Sequence, residues 1–444
     1  MNPINEAIQA IINVRLYDYD KYRENAYLLF NEEIIEVGDM EQFHICCEKF
    51  NLENIMDAQG RLLLPGLINF HTHMYSAFAR GFQFKCDSTE FTQILKQVWW
   101  RLDHNLILDD VYTSAISHCE ELVKSGVVGV IDHHAGSQVT GSTIAIEKAI
   151  QDMGMHGLTC FEISDRFDIE SAIRENKEMV ARTKGPIGLH ASMTLSDETL
   201  KRVNQILEDN PIHVHVSESL DDHLYFGETP IQRFERFNLL QKPSLLAHCV
   251  HINDVDASII SESQSTVVLC PLSNMNNGVG TFNYGLFERY KIPIVVGTDG
   301  LGADMARSWQ MLYYTAVSKP ENSGQMNLEV LRQTIADSYL YYEKLTGQKL
   351  GKFEIGYRMD AFLTDYHWFT PLNDQTAFSH VFYGIFDRLG IQQLWIGGRL
   401  RIENHVYIEI QQALDDQDSL NHSPISIACA EALWKRMGEA DENK

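Results

Sequence analysis

Two histidines stand two residues apart in the stretch GLINFHTH. On a β-strand such positions share a face, so His71 and His73 could both reach one metal ion about 2 Å from each nitrogen. Alone, the pair fits two hydrogen-bonded polar residues at a strand end better than it fits a metal site. A further imidazole lies in HVHVSES, where Glu218 follows His215 by three residues. Neutral imidazole is a common metal ligand, and a carboxylate beside it can move protons. His213 shares the face of His215 and could simply fill the core. His248 in LLAHCVH and Asp299 in VVGTDG complete the series. A carboxylate at a buried strand end needs a partner, and a divalent cation would keep it ionised. Each signal is commonplace by itself, but their occurrence in one chain, each at the end of an apolar run, points to a metal-dependent site.

Those runs must position the ligands. GLINFHTH, GVVGVIDHH, HGLTCFEIS, GPIGLHAS, IHVHVSES, SLLAHCVHI, STVVLCPLS and IPIVVGTDG alternate with polar, helix-compatible segments. Their ends lie roughly 20 to 35 residues apart, with a gap of about 60 after the first, which is the spacing of a parallel (β/α)₈ barrel over residues 65–349. In such barrels the active site forms at the carboxyl ends of the strands, where these histidines gather. Residues 82–110 are expected to be a loop or helical insertion. Short strand-like runs in 1–64 and 350–412 bracket the barrel, and 413–444 suggest one helix with a frayed end.

With 44% apolar and 22% charged residues, the 444-residue chain matches the globular profile and excludes a disordered or collagenous one. The net charge of −25 disfavours nucleic acid and anionic membrane surfaces as partners. No apolar run is long enough to span a bilayer, and the opening residues lack the basic and apolar regions of a secretory leader. The eight cysteines show no C-x-x-C pair, so reduced thiols in a cytoplasmic protein are expected. Phosphate-binding glycine loops and the G-x-S-x-G elbow are missing, and the H-x-E at His118 lacks the P-C-x-x-C that would make it a small zinc deaminase.

LLPGLINFHTHMYSAFARG, GLHAS, HVHVSES, AHCVHI, CPLSN and GTDG, in this order, resemble the deaminase and chlorohydrolase branch of the amidohydrolase superfamily. WWRLDHNLILDDVYTSA and VIDHHAG further resemble the SsnA-type aminohydrolases. The resemblance covers nearly the whole chain. It implies a distorted (β/α)₈ barrel flanked by a β-sandwich built from both chain ends, and a homodimer. It also implies that His71, His73, His215 and Asp299 bind one divalent metal ion, zinc first, with iron or manganese as alternatives. Glu218 becomes the proton shuttle, His248 stabilises developing charge, and His190 contacts the substrate. Binuclear members use a bridging lysine on the fourth strand; GPIGLHAS has none, so one metal is expected.

The expected reaction is hydrolytic deamination of a small heterocyclic amine, a purine, pyrimidine or triazine, with guanine-like bases as the first guess. The ion would lower the pKa of water from about 15.7 toward about 7. Asp299 would take the water proton, and Glu218 would protonate the ring nitrogen and then the leaving ammonia. Hydrolytic dechlorination or cleavage of another non-peptide C–N bond would use the same residues. A non-catalytic scaffold is the rival from another class, and the intact residue set argues against it. Ser273 and Asn274 are read as packing near the site, and Trp99 and Trp100 equally as packing or substrate-stacking residues. Arg80 and Arg101 are read as solvated or ion-paired. Of His133 and His134, adjacent on a strand, at most one can face the barrel interior.

Overall fold

The computed structural model describes residues 8–50, 52–223, 226–322, 324–408 and 422–442. The chain divides into two compact units: Met1–Ile68 with Leu122–Gly129 and Leu328–Asn421, and Asn69–Glu121 with Val130–Asn327 and His422–Lys444.

The first unit is built on a nine-stranded sheet. Its strand Ile8–Tyr17 turns back into Tyr22–Phe30 through a bend in which the Asp18 carboxylate accepts the backbone N–H groups of Asp20 and Lys21 at 3.1 and 2.7 Å. The late strands Ala361–Thr364, Ile391–Ile396 and Arg399–Glu403 join the same sheet through Leu62–Pro65. Phe30 and Trp395 lie on strands four places apart, yet their rings are 6.3 Å apart. Four strand spacings in a flat sheet would separate them by about 19 Å. The sheet therefore folds over itself and buries Val14, Leu28, Leu63 and Leu363 between its layers.

The second unit holds the barrel apart from residues 67, 68 and 127–129. The eight runs singled out in the sequence are strands: Leu67–Thr72, Val127–His134, His156–Phe161, Ile187–Ala191, Ile212–Val216, Leu245–His248, Thr266–Leu269 and Ile294–Val296. The first three form one sheet and the last five another. Parallel bridges Ile163–Leu189 and Thr72–Asp299 connect the two sheets into a ring. Most of these strands are buried along their whole length, as parallel strands covered on both faces must be. The helices between them begin at local signals: Asp168 and Ser196 accept the N–H groups of Ser171 and Thr199, and Asn253 with Asp256 forms a capping box.

Residues 82–110 contain the short helices Phe91–Ile94, Leu95–Trp99 and Trp100–His104. Contacts group the chain differently from the sequence expectation at residues 65–68 and 122–129, which join the sheet unit, and at two helices. The helix Leu328–Thr346 belongs with the sheet unit, where Tyr339 donates to the Gly66 carbonyl at 3.1 Å. The helix His422–Glu442 belongs with the barrel unit, where Trp434 Nε1 donates to the Phe78 carbonyl at 2.7 Å and Arg436 pairs with Asp110. Among the described residues no helix is long and apolar enough to cross a membrane.

Candidate metal centre and cavity

His71 lies in the first barrel strand and His73 one residue beyond it. The seventh and eighth strands fix Asp299 against them. Gly297 donates to the Leu269 carbonyl, while Thr298 and Asp299 donate to the His71 carbonyl at 3.0 and 2.9 Å. A Cβ on Gly297 would meet the His71 carbonyl oxygen at 2.6 Å, so only glycine lets the two chains approach this closely. Asp299 is left-handed at φ 57°, and so is His248 at φ 73°. Such non-glycine conformations at strand ends are uncommon and aim these side chains inward.

Asp299 Oδ1 lies 3.5 Å from His71 Nε2 and 3.0 Å from His73 Nε2, and the His73 and His215 Nε2 atoms are 3.2 Å apart. Ligand atoms of His71, His73, His215 and Asp299 all lie within 4.8 Å of one another, and the four residues could hold a metal ion. The opposite nitrogen of each ring is engaged: His71 Nδ1 with His213 Nε2 at 2.9 Å, His73 Nδ1 with the His133 carbonyl at 2.6 Å, and His215 Nδ1 with the His190 carbonyl at 3.0 Å. Such partners orient metal-binding imidazoles. The donor set fits a cation by one further observation: His71 Nε2 is buried with no hydrogen-bond partner. Burial holds the His71 ring down to about 4, hence neutral. Burial alone would raise the Asp299 carboxyl, but the His71 and His73 rings beside it hold it well below the usual carboxylate range. The site thus presents a carboxylate and the uncharged imidazoles of His71 and His215 to one point; burial would lower the His73 ring too, but its bond to Asp299 raises it to about 9.

Glu218 and His248 stand beside this point. His248 Nε2 is 3.5 Å from Glu218 Oε2, and an oxygen or nitrogen of each lies within 4.8 Å of an Asp299 oxygen. Asn277 donates to Glu218 Oε1 at 3.3 Å, and burial raises the Glu218 carboxyl. His248 Nδ1 is 2.8 Å from Asn274 Oδ1, and Ser273 Oγ donates to Asp299 Oδ2. Ser273 and Asn274 therefore do more than pack: each bonds a residue of the cluster. His213 likewise orients His71 and is no mere filler.

A cavity opens over the cluster, lined by His73, His190, His215, Glu218 and Asp299 together with Trp99 and Trp100. Its empty volume, including the open mouth, is about 720 Å³, within the range of small-molecule sites. His190 faces this cavity, with Nδ1 held by Thr194 Oγ1 at 2.7 Å. His133 turns toward the cluster, its ring 4.8 Å from that of His215, whereas His134 packs on Tyr75 and Phe161. Arg80 pairs with Glu121, and Arg101 lies over the Phe82 ring; neither lines the cavity.

Sequence reasoning missed Asp103, Glu162, Arg166 and Asp222, which also line it. Burial pushes the Asp103, Glu162 and Asp222 carboxyls up to about 7, 8 and 7. Glu162 had a signal of the Asp299 kind, a carboxylate ending an apolar run in HGLTCFEIS. Asp132, also missed, accepts the Met74 N–H at 2.8 Å and the Thr159 hydroxyl at 3.0 Å, fixing the chain just past His73.

The amidohydrolase family profile matches residues 62–401. The chain belongs to the amidohydrolase family. Among curated relatives, it is 29% identical to a 5'-deoxyadenosine deaminase of Methanothrix thermoacetophila over 57% of this chain, a match spanning only 62% of that relative. It is 27% identical to a 5-methylthioadenosine/S-adenosylhomocysteine deaminase of Syntrophomonas wolfei over 90% of this chain and 93% of the relative. Among solved structures, a zinc-bound adenosine deaminase from Xanthomonas campestris superposes with a TM-score of 0.79 over 98% of this chain and 99% of the other at 18% identity. An atrazine chlorohydrolase from Arthrobacter aurescens, also with zinc, gives 0.74 over 96% and 99% at 18% identity. These likenesses support the distorted barrel fold.

Proposed function

We propose that this amidohydrolase is a hydrolytic deaminase of an amino-heterocycle of the purine class, working with one divalent cation held by His71, His73, His215 and Asp299. The observation that carries the reading is the convergence of those four residues with Glu218 and His248 beneath one cavity, whose floor His73, His215, Glu218 and Asp299 line. The curated relatives named above, both deaminases of adenosine-like compounds, support ammonia over chloride as the leaving group.

When bound, such an ion supplies Lewis acidity and makes water a nucleophile at neutral pH. The remaining work belongs to side chains. Asp299, held as a carboxylate, accepts a proton from the attacking water. Glu218, whose carboxyl is raised by burial, donates its own proton to the ring nitrogen next to the reacting carbon, takes a second from the hydroxyl of the substrate adduct as the carbonyl forms and passes it to the departing amine, after which the proton on Asp299 restores it. His248, fixed through Asn274, directs Nε2 at the developing oxyanion. Trp99, Trp100 and His190 border the space that a planar ring would fill. A homodimer and a reduced, cytoplasmic setting complete the proposal; all eight cysteines are free thiols, which supports the latter.

The test is an ammonia-release screen of zinc-, iron- and manganese-loaded protein over adenine- and guanine-type bases and nucleosides, pyrimidines, pterins and triazines, with chloride release followed on chlorotriazines. Ammonia from an amino-heterocycle supports the reading. Chloride release without any ammonia release would replace it with the dechlorinase.

A further inference from the structure

One wall of the cavity has no part in the reaction described above. The Arg166 guanidinium lies 4.5 Å from the Trp100 ring and 4.7 Å from the Phe167 ring. It donates to both carboxylate oxygens of Asp103, at 2.8 and 2.6 Å, and to Glu162 Oε1 at 3.3 Å. Asp103 is thereby spent on Arg166. Glu162 is not: among the described residues its Oε2 makes no hydrogen bond, the facing His133 Nδ1 being 3.8 Å away. Glu162 is only 2% exposed, yet it lines the cavity, and one of its oxygens lies within 4.8 Å of a His215 ring nitrogen.

A ring lying along this wall with its reacting carbon at the metal-side cluster would bring another of its edges to Glu162. The lining sets the carboxyls of Asp103, Glu162, Glu218 and Asp222, all raised by burial, and the Asp299 carboxylate against Arg166, and so suits a neutral or cationic ligand better than an anion.

Resting on the deaminase reading, we propose that Glu162 is a specificity-determining residue whose Oε2 accepts an N–H of the substrate ring other than the leaving amine, so that the substrates are amino-heterocycles with a second N–H donor. A buried acceptor left unpaired costs the analogue that lacks the donor, and this is how sites built on hydrogen bonds achieve large discrimination. Arg166 sharpens the choice. In Glu162→Gln the guanidinium would hold the amide oxygen, leaving the NH2 to face a ligand N–H, donor against donor. Asp103 keeps Arg166 in place in that variant.

Calorimetry at pH 9 on zinc-loaded protein with 2-aminobenzimidazole and 2-aminobenzoxazole tests the proposal, because there both ligands are neutral, the Glu162 carboxyl is ionised, and the two share shape and exocyclic amine and differ by a ring N–H in place of oxygen. The parental protein should bind the benzimidazole at least about tenfold more tightly. Glu162→Gln should bring the ratio to about one or reverse it, with zinc content and melting temperature unchanged. Equal affinities in the parental protein, binding of neither ligand up to millimolar concentration, or an unchanged ratio in Glu162→Gln would overturn it. If Glu162→Gln fails to fold, Glu162→Asp, which withdraws the oxygen by one methylene, should also reduce the ratio, and a full ratio there would overturn the proposal. Absence of ammonia release in the screen above would defeat the deaminase reading, while the binding comparison would still decide the role of Glu162.

Discussion

Asp299 meets His71 twice: its backbone N–H donates to the His71 carbonyl at 2.9 Å, and its carboxylate oxygen Oδ1 lies 3.5 Å from His71 Nε2. The same approach that joins the last strand to the first therefore assembles half of the proposed metal site. Barrel closure and ligand geometry are one structural event, because residues 228 positions apart in sequence become neighbours only when the ring is complete.

Gly297→Ala should accordingly damage metal binding without touching a ligand. Its methyl group would press on the His71 carbonyl and Cβ, at 2.6 and 2.7 Å, and both belong to rigid elements. Overpacking of this kind typically costs about 1 to 3 kcal/mol. The expected outcome is a lower denaturation midpoint and reduced zinc content, measured by chemical denaturation and elemental analysis.

Protein purified without chelators should carry one divalent ion per chain, and His71→Ala and Asp299→Ala should each lose metal and turnover together. Elemental analysis checks the stoichiometry. A reproducible value near two, or normal metal content in His71→Ala, would refute the ligand assignment.

Glu218→Gln should separate chemistry from binding. The amide keeps the shape of the side chain but cannot carry a proton, and a positioned acid or base contributes roughly 10² to 10⁴ in rate. We expect a loss of that order in single-turnover rate with parental metal content. Loss of the metal would make Glu218 a ligand instead.

Asn274→Ala should act through His248. It removes the partner of His248 Nδ1, 2.8 Å away, and leaves the ring free to turn. The expected result is a fall of about tenfold or more in kcat with little change in KM or metal content, since the lost interaction serves the transition state.

Asp132 offers a check on pH dependence in metal-free protein. Burial raises its carboxyl to about 6. An acid with a raised folded pKa binds more protons folded than unfolded between about pH 4 and 6, so its contribution to stability falls as pH rises through that window and then stays constant. Asp132→Asn can still accept from Met74 and donate to the Thr159 oxygen. It should therefore remove a pH-dependent penalty of roughly 2 to 3 kcal/mol, visible as a higher denaturation midpoint at pH 8 than the parental protein and a similar one at pH 4.

The sequence by itself determined the eight barrel strands, because buried parallel strands leave continuous apolar runs at regular intervals. It determined which histidines and acids end those runs, and hence the candidate cluster, because a residue's place along a strand is a local property. Only the tertiary structure decided what the second nitrogen of each ring touches. His213 reaches His71 across 142 residues, and the His133 and His190 carbonyls are backbone groups that no motif distinguishes. The residues after the first strand show why periodicity stops there: Phe91–His104 is a series of short helical turns with little repeat to read, and its Trp99, Trp100 and Asp103 gain meaning only as one wall of the cavity. Asp103, Glu162 and Arg166 come from two separate strand-to-helix connections, so their pairing depends on how those connections pack over the ring. Local pattern reports the strand ends, while the contacts between connections follow from closure of the barrel, which brings distant segments together by packing.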